Sequence, residues 1–415
     1  MTDDLRSRRA FLSSLGSLSA AALTAPDLLA PSVSLTASSA APGLALGPED
    51  FAFAPGLIYL QTGSLGPTPR QVMERAFTAW KQLQLNPVLY GYGEHEHAMD
   101  EVRAKAATLI GCRTEEIVLT RSTTEGMNWI AQGLTLAAGD RVLTTDQEHP
   151  GGRVMWDYVV RRHGVVLDVV PIPPDRHDAG AIVDAFAKRI TPRTRALSFA
   201  HLLSSTGLRM PVTELCALAR SRGCLAVVDG AQAVGGIAVN VKALGCHAYA
   251  TSGHKWLLGP PGTGFMYLSE EIGKTIDPIS LQGGRAAYSA SSGVTGIPSV
   301  LALGAAIDYV NAIGIATIEA HDVRLRNRLY SSLQSVPKLR VVSAAPGPLA
   351  SPLLTYMLPD ALESAVFRAR MLEKHNIELK VVPKVWMNGN RVSTHLFNTE
   401  QHVDALVAAL KTELA

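Results

Sequence analysis

Between residues 71 and 315, short apolar runs alternate with longer stretches whose apolar positions recur at helical spacing. The runs 142–145, 165–171, 196–201, 225–229 and 248–251 read as strands, since continuous apolar segments of this length suit a sheet covered on both faces. Helical periods occupy 181–189 and 211–222 between them. This alternation predicts an α/β architecture with a mainly parallel sheet. From residue 316 onward a helical stretch at 318–333, short strands and a closing helix at 401–414 predict a smaller α+β domain. A chain of 415 residues exceeds one ordinary core. The expected division is a leader and linker at 1–40, a segment at 41–70 that joins the small domain, a large domain at 71–315 and a small one at 316–415.

Candidate chemistry gathers at the ends of the predicted strands, where open α/β sheets bind ligands. Thr251-Ser252-Gly253-His254-Lys255-Trp256-Leu257 follows the last run and places one lysine in a small, apolar setting. Desolvation there disfavours the ammonium form, and a neutral lysine amine is a nucleophile toward aldehydes. Upstream, Val227-Val228-Asp229-Gly230-Ala231-Gln232 ends a strand in an acid and an amide. A lysine for an aldehyde and an aspartate for a pyridinium nitrogen together suit pyridoxal 5′-phosphate (PLP). Leu119-Thr120-Arg121-Ser122-Thr123-Thr124-Glu125-Gly126 opens a helix expected over 127–134, and free N–H groups at a helix start suit a phosphate. The segment also reads as an ordinary N-cap, and both readings hold together. The Gly259-Pro260-Pro261-Gly262 segment lacks the Gly-Lys-Ser/Thr of a nucleotide loop and reads as a tight turn into a strand at 264–268.

These motifs, with Gln147-Glu148-His149-Pro150-Gly151-Gly152 and Asn390-Arg391-Val392-Ser393-Thr394-His395, resemble the class V aminotransferase family of PLP enzymes from about Tyr59 to Asp404. The resemblance implies a fold type I PLP transferase: a large domain with a mainly parallel mixed sheet, plus a smaller α+β domain. It implies that Lys255 joins the cofactor as a Schiff base and that Asp229 pairs with the pyridine nitrogen. Gln232 is expected at the phenolic oxygen, and Ser204 at the position over the ring. Thr123, Thr124, Ser252 and His254 are expected at the phosphate. His149 is expected to stack on the ring and to share in catalysis with Lys255. Arg391 is expected to take the substrate α-carboxylate, with Gly63 beside the substrate. A homodimer is implied, with the loop 280–292 helping to build the neighbouring subunit's site.

Within the family, Tyr59-Leu60-Gln61-Thr62-Gly63-Ser64-Leu65-Gly66-Pro67 and Ser204 look closest to the isopenicillin N epimerase-like branch. Cysteine desulfurases use a mobile C-terminal cysteine, whereas the cysteines here are Cys112, Cys216, Cys224 and Cys246, with none beyond. Chemistry at Cα of an amino acid, or of a secreted metabolite bearing one, is the expectation, with epimerisation the nearest resemblance. The alternatives are a tailoring enzyme for a peptide or siderophore side chain (transamination, oxidative decarboxylation or C–S cleavage) and a PLP-binding protein without turnover.

The amino terminus adds a location. Ser7-Arg8-Arg9-Ala10-Phe11-Leu12 precedes a mild apolar stretch and the small residues Thr36-Ala37-Ser38-Ser39-Ala40. This pattern reads as a twin-arginine export signal, handled by the twin-arginine translocase, and predicts a periplasmic protein. That route carries folded proteins, so the cofactor travels inside its enzyme. A formal net charge of +2 without a dense basic block gives no reason to expect nucleic acid. The cysteine spacing makes neither a metal nor a disulfide framework, and all four are expected as buried thiols. No metal is expected. His95 and His97, which bracket Glu96, read as a polar loop or helix face. The segment Pro87-Val88-Leu89-Tyr90-Gly91-Tyr92 reads equally as an aromatic wall at the site entrance and as a loop of packed tyrosines.

Overall fold

The computed structural model describes residues 47–175, 177–272 and 275–415. The twin-arginine motif and the cleavage region lie outside the described residues. Thirteen strands are named here in chain order: β1 (Ile58–Tyr59), β2 (Ile117–Thr120), β3 (Arg141–Thr145), β4 (Val166–Val170), β5 (Thr194–Ala200), β6 (Leu225–Asp229), β7 (Ala248–Ser252), β8 (Gly264–Leu268), β9 (Arg340–Val341), β10 (Leu353–Met357), β11 (Ile377–Glu378), β12 (Lys380–Val381) and β13 (Gly389–Ser393).

Seven strands form the main sheet in the order β2-β8-β7-β6-β5-β3-β4. The run from β7 to β4 is parallel, and β8 is antiparallel to both its neighbours. Central strands β7 and β8 are buried at every position. Their side chains meet helices on one face or the other, so apolar residues run on without alternation. Helices Thr123–Gly133 and Pro150–His163 pack together on the sheet, while the largely buried helix Ile297–Ile313 packs against Arg70–Leu85 and His95–Ile110. No single described helix is long and apolar enough to cross a membrane.

A four-stranded antiparallel sheet, β12-β13-β10-β9, forms with helices Ile315–Leu333, Ser364–His375 and Glu400–Leu414 around its own core of Leu325, Leu354, Phe367 and Leu406. β1 pairs in parallel with β11, and Ser393 N–H donates to Leu60 O at 2.9 Å. The chain from Ile58 is therefore anchored on the small sheet before it runs on to Gly63.

Several expectations need adjustment. The helix at 127–134 begins earlier, as Thr123–Gly133, because Ser122 Oγ accepts from Glu125 N–H at 3.2 Å and caps it. The helix at 318–333 begins at Ile315, directly after Gly314. Cys112 is half-buried rather than buried, since it follows the left-handed Gly111 at a helix end. His95 is buried, not on a polar face, and its ring lies 5.7 Å from that of Tyr90. The segment 87–94 is helical turn rather than open loop.

Candidate active site

Every residue singled out from the sequence as a site candidate lines one cavity of about 280 Å³. It sits at the carboxyl ends of β3, β6 and β7 and is closed by the small sheet. β6 ends on Asp229, β7 ends on Ser252 with Lys255 in the following turn, and His149 comes after β3. Parallel strands place their C-terminal ends on one edge, which is why segments distant in sequence converge there.

The Lys255 turn is held from several directions. Gly259 N–H donates to Gly253 O at 2.7 Å, and Gly253 N–H to Thr263 O at 2.8 Å. From the amino-terminal segment, Gly66 N–H donates to His254 O at 2.8 Å. A Cβ on Gly66 would collide with the Lys255 carbonyl, so the close approach requires glycine. Behind the turn, His395 Nε2 lies 2.9 Å from Trp256 O while its Nδ1 lies 2.8 Å from Asp322 Oδ2, wholly inside the protein. The Lys255 amine itself has no hydrogen-bond partner among the described residues. Desolvation, opposed by Asp229 and assisted by Arg391 and Lys380, pulls its pKa down to about 8. Uptake of an aldehyde cofactor by the cofactor-free protein is therefore expected to accelerate with pH around a midpoint near 8, not near lysine's ordinary 10.5. Stopped-flow absorbance across pH 6–10 checks it, and a flat rate through pH 8 contradicts it (about two units either side of the midpoint span the titration).

At the far end, Thr123 N–H donates to Ser252 Oγ at 3.0 Å and the two hydroxyls lie 2.8 Å apart. The Thr124 hydroxyl has no partner among the described residues, and the buried His254 Nδ1 is unpaired. These donors surround the start of helix Thr123–Gly133, where backbone N–H groups and the helix dipole favour an anion. Open space is kept by glycine: a Cβ on Gly151 would lie 2.5 Å from Thr124 Oγ1, and one on Gly152 would lie 2.6 Å from Asp229 Oδ2. His149 caps helix Pro150–His163 by accepting from Gly151 N–H at Nδ1, 3.0 Å. Partial enclosure and the cations Lys255, Arg391 and Lys380 push its pKa down to about 4, so its ring is neutral at physiological pH.

Asp229 Oδ1 accepts from Ala231 N–H at 2.9 Å, and burial raises the pKa of its carboxyl. Near it, after β3 and one strand removed from β6, stands a second carboxyl that sequence reasoning passed over. Glu148 is buried, and its Oε1 accepts from Thr145 Oγ1 at 2.6 Å and Ala200 N–H at 3.3 Å. Burial, with a smaller push from Asp229, raises its pKa to about 8. The folded state thus holds a proton there that the unfolded chain releases above the ordinary 4.5, so Glu148 erodes stability as pH rises from about 4.5 to 8. Glu148→Gln is expected to leave stability at pH 5 little changed and to raise it by roughly 1–3 kcal/mol at pH 9. Urea midpoints at the two pH values measure this, and equal shifts at both refute it.

Arg391 is 1% exposed and faces no carboxylate. Its Nη1 donates to Ser204 O and Oγ, both at 2.7 Å, Nη2 lies 3.5 Å from Ser64 Oγ, and Nε is unpaired. Ser204 is thus tied to the guanidinium. Gln232 is also fixed: its Nε2 donates to Gly63 O at 2.7 Å and its Oε1 accepts from Trp256 Nε1 at 2.9 Å. A Cβ on Gly63 would press within 2.9 Å of both Arg391 Nη2 and Gln232 Oε1. Lys380, on β12, completes the wall and was not singled out from the sequence. Its signal was its position opposite Arg391, which no linear reading provides. The 87–92 segment lines a separate apolar cavity of about 220 Å³ with Tyr288 and Val294, and none of it touches this one.

A desolvated lysine amine, a buried acid across from it and an anion cradle at a helix start fit PLP, a molecule with an aldehyde, a basic ring nitrogen and a phosphate. The orphaned His254 Nδ1 and the glycine-guarded space at Gly151 and Gly152 are the features that a filled cradle accounts for. Fold and site together define a PLP-dependent enzyme of fold type I. The chain belongs to the class V aminotransferase family, whose model matches residues 58–406. It is 31% identical over 390 residues to isopenicillin N epimerase of Amycolatopsis lactamdurans, covering 88% of this chain and 96% of that protein. It is 30% identical over 387 residues to a cysteine desulfurase of Salmonella agona, covering 85% and 92%. Among solved structures, a C-DES mutant with glycine covalently linked to its PLP cofactor aligns with a TM-score of 0.80 at 22% identity, over 88% of this chain and 98% of that one. The cysteine desulfurase CsdA from Escherichia coli aligns with a TM-score of 0.77 at 26% identity, over 88% and 97%.

Proposed function

We propose that this protein uses PLP to labilise the Cα–H bond of an amino acid or of a metabolite bearing one, with epimerisation the reaction favoured. The observation that carries the reading is the pairing, in one cavity, of a lysine with its pKa lowered to about 8 and a buried arginine that no carboxylate neutralises. When bound, PLP supplies an aldehyde for the amine and an electron-accepting ring for the charge left at Cα.

The chain's own residues divide the work as follows. Thr123, Thr124, Ser252 and His254 hold the phosphate, and Asp229 keeps the ring nitrogen protonated. His149, neutral, covers the ring face. Gln232 and Ser204 border it, although the amide of Gln232 is oriented by Gly63 and Trp256 and Ser204 is oriented by Arg391. Arg391 takes the α-carboxylate by its planar fork and so sets the orientation of Cα. Lys255 would be the base that removes the Cα proton and can return it to the same face, whereas inversion requires a second donor on the opposite face. Burial that lowers its pKa keeps it competent for both transfers near neutral pH.

A persulfide-forming desulfurase is the poorer fit. None of Cys112, Cys216, Cys224 and Cys246 lines the cavity, and burial raises the pKa of every one of these thiols. We further propose export by the twin-arginine route and assembly as a homodimer. Export favours a substrate met outside the cytoplasm, such as a terminal amino acid of a secreted peptide. Fractionation of cells expressing the full chain tests the location, and recovery only in the cytoplasm refutes it.

Incubation of the PLP-loaded protein with amino acids and short peptides in heavy water tests the reaction. Cα deuterium with both configurations present supports epimerisation. A keto acid, an eliminated fragment or a lost carboxylate replaces that reading with tailoring chemistry on the same residues.

A further inference from the structure

β12 and β13 are antiparallel neighbours, and their register sets Lys380 directly opposite Arg391. Both residues line the cavity, and neither faces a carboxylate within the described residues. Arg391 bonds only to Ser204 and, at the limit of hydrogen-bond distance, to Ser64. The Lys380 amine makes no hydrogen bond or ion pair among the described residues. Glu378, two residues before Lys380, is already engaged by Arg368 Nε at 2.8 Å and by Gln61 Nε2 at 2.7 Å. Two cations side by side without a counter-ion repel each other and are poorly solvated, and each lowers its neighbours' proton affinity.

A single α-carboxylate on Arg391 neutralises one of the two. The cofactor phosphate has its own cradle around Thr123, Ser252 and His254 and does not call on the other. We propose that Lys380 and Arg391 form a two-cation receptor that selects substrates carrying a second anionic group, typically a side-chain carboxylate, besides the α-carboxylate. The proposal rests on Arg391 as the α-carboxylate anchor and names the substrate class of that site. The two residues suit different tasks. Arg391, its fork held by both acceptors of Ser204, fixes a planar group in one orientation. Lys380 is a compact charge on a flexible stem and follows an anion over a range of positions.

Calorimetric titration of the PLP-loaded full chain with glutarate and with butyrate, neither of which has an amine to react, tests the receptor directly. The wild-type protein is expected to bind glutarate at least about tenfold more tightly than butyrate. Lys380→Gln brings that ratio close to one, and Lys380→Arg, which keeps the charge, retains most of it. An equal ratio in wild type and Lys380→Gln, with the visible band of lysine-joined PLP intact, overturns the receptor and leaves the reading of the site standing. Absence of that band in the wild-type protein overturns the reading itself. Retained glutarate preference in Lys380→Gln together with lost Cα deuterium exchange also overturns the receptor, and makes Lys380 a proton donor.

Discussion

Lys255→Ala is expected to abolish the visible absorbance that PLP shows when joined to a lysine amine, and with it catalysis. The residue supplies the only amine in the cavity whose turn is pinned by hydrogen bonds from Gly66, Gly259 and Leu258. It also sits beside Asp229, which restrains its pKa from falling below about 8. Loss of the base alone is worth about 10²–10⁴-fold in rate, and loss of the nucleophile adds to it. The fold is expected to survive, because the lysine amine makes no hydrogen bond among the described residues. Absorbance, mass after borohydride reduction and turnover together check the outcome. Retention of a reducible, covalently held cofactor in Lys255→Ala would falsify the assignment.

Arg391→Met is expected to separate binding from stability. Substrate affinity should fall by about 2–5 kcal/mol, roughly thirty-fold to several thousand-fold, because a buried charge pair loses one partner. The folded protein without substrate should be at least as stable as wild type. In that state Arg391 is a wholly buried cation with no counter-ion, and burial drags its pKa down to about 10. Replacing it by an apolar chain of similar length removes that penalty, and the Ser204 hydroxyl and carbonyl are left at the cavity edge where water reaches them. KM and thermal midpoint are the two measurements. A variant that melts well below wild type while binding substrate normally would place Arg391 in the architecture instead. The expected trade is one that binding sites make commonly, keeping a group that costs stability because the ligand needs it.

Much of the frame was legible in one dimension. The strands 225–229 and 264–268 match the observed β6 and β8 to the residue, and the parallel strands β3, β4, β5 and β7 are displaced only at their ends. Buried parallel strands read clearly because both faces are covered, so no polar positions interrupt them. Helix starts were less clear: Thr123 joins its helix because Ser122 and Ser252 satisfy its first N–H groups, one local in sequence and one 129 residues away. His95 and Cys112 were misjudged for a related reason, since burial depends on what packs over a residue and not on its neighbours in the chain.

The candidate residues were recognisable by type and motif, and the fold gathers all of them around a single cavity. Their mutual arrangement was not recognisable. That Ser204 holds Arg391, that Trp256 and Gly63 orient Gln232, and that Glu148 stores a proton near Asp229 follow from contacts across dozens to hundreds of residues. The sequence by itself determined the strand–helix alternation, the lysine and aspartate at strand ends and hence the family, because these depend on local periodicity and on residue chemistry. Only the tertiary structure decided which charges go unpaired. Electrostatic environment is a sum over everything within several ångströms, and for Lys255, Arg391 and Lys380 that surrounding is built from both sheets at once.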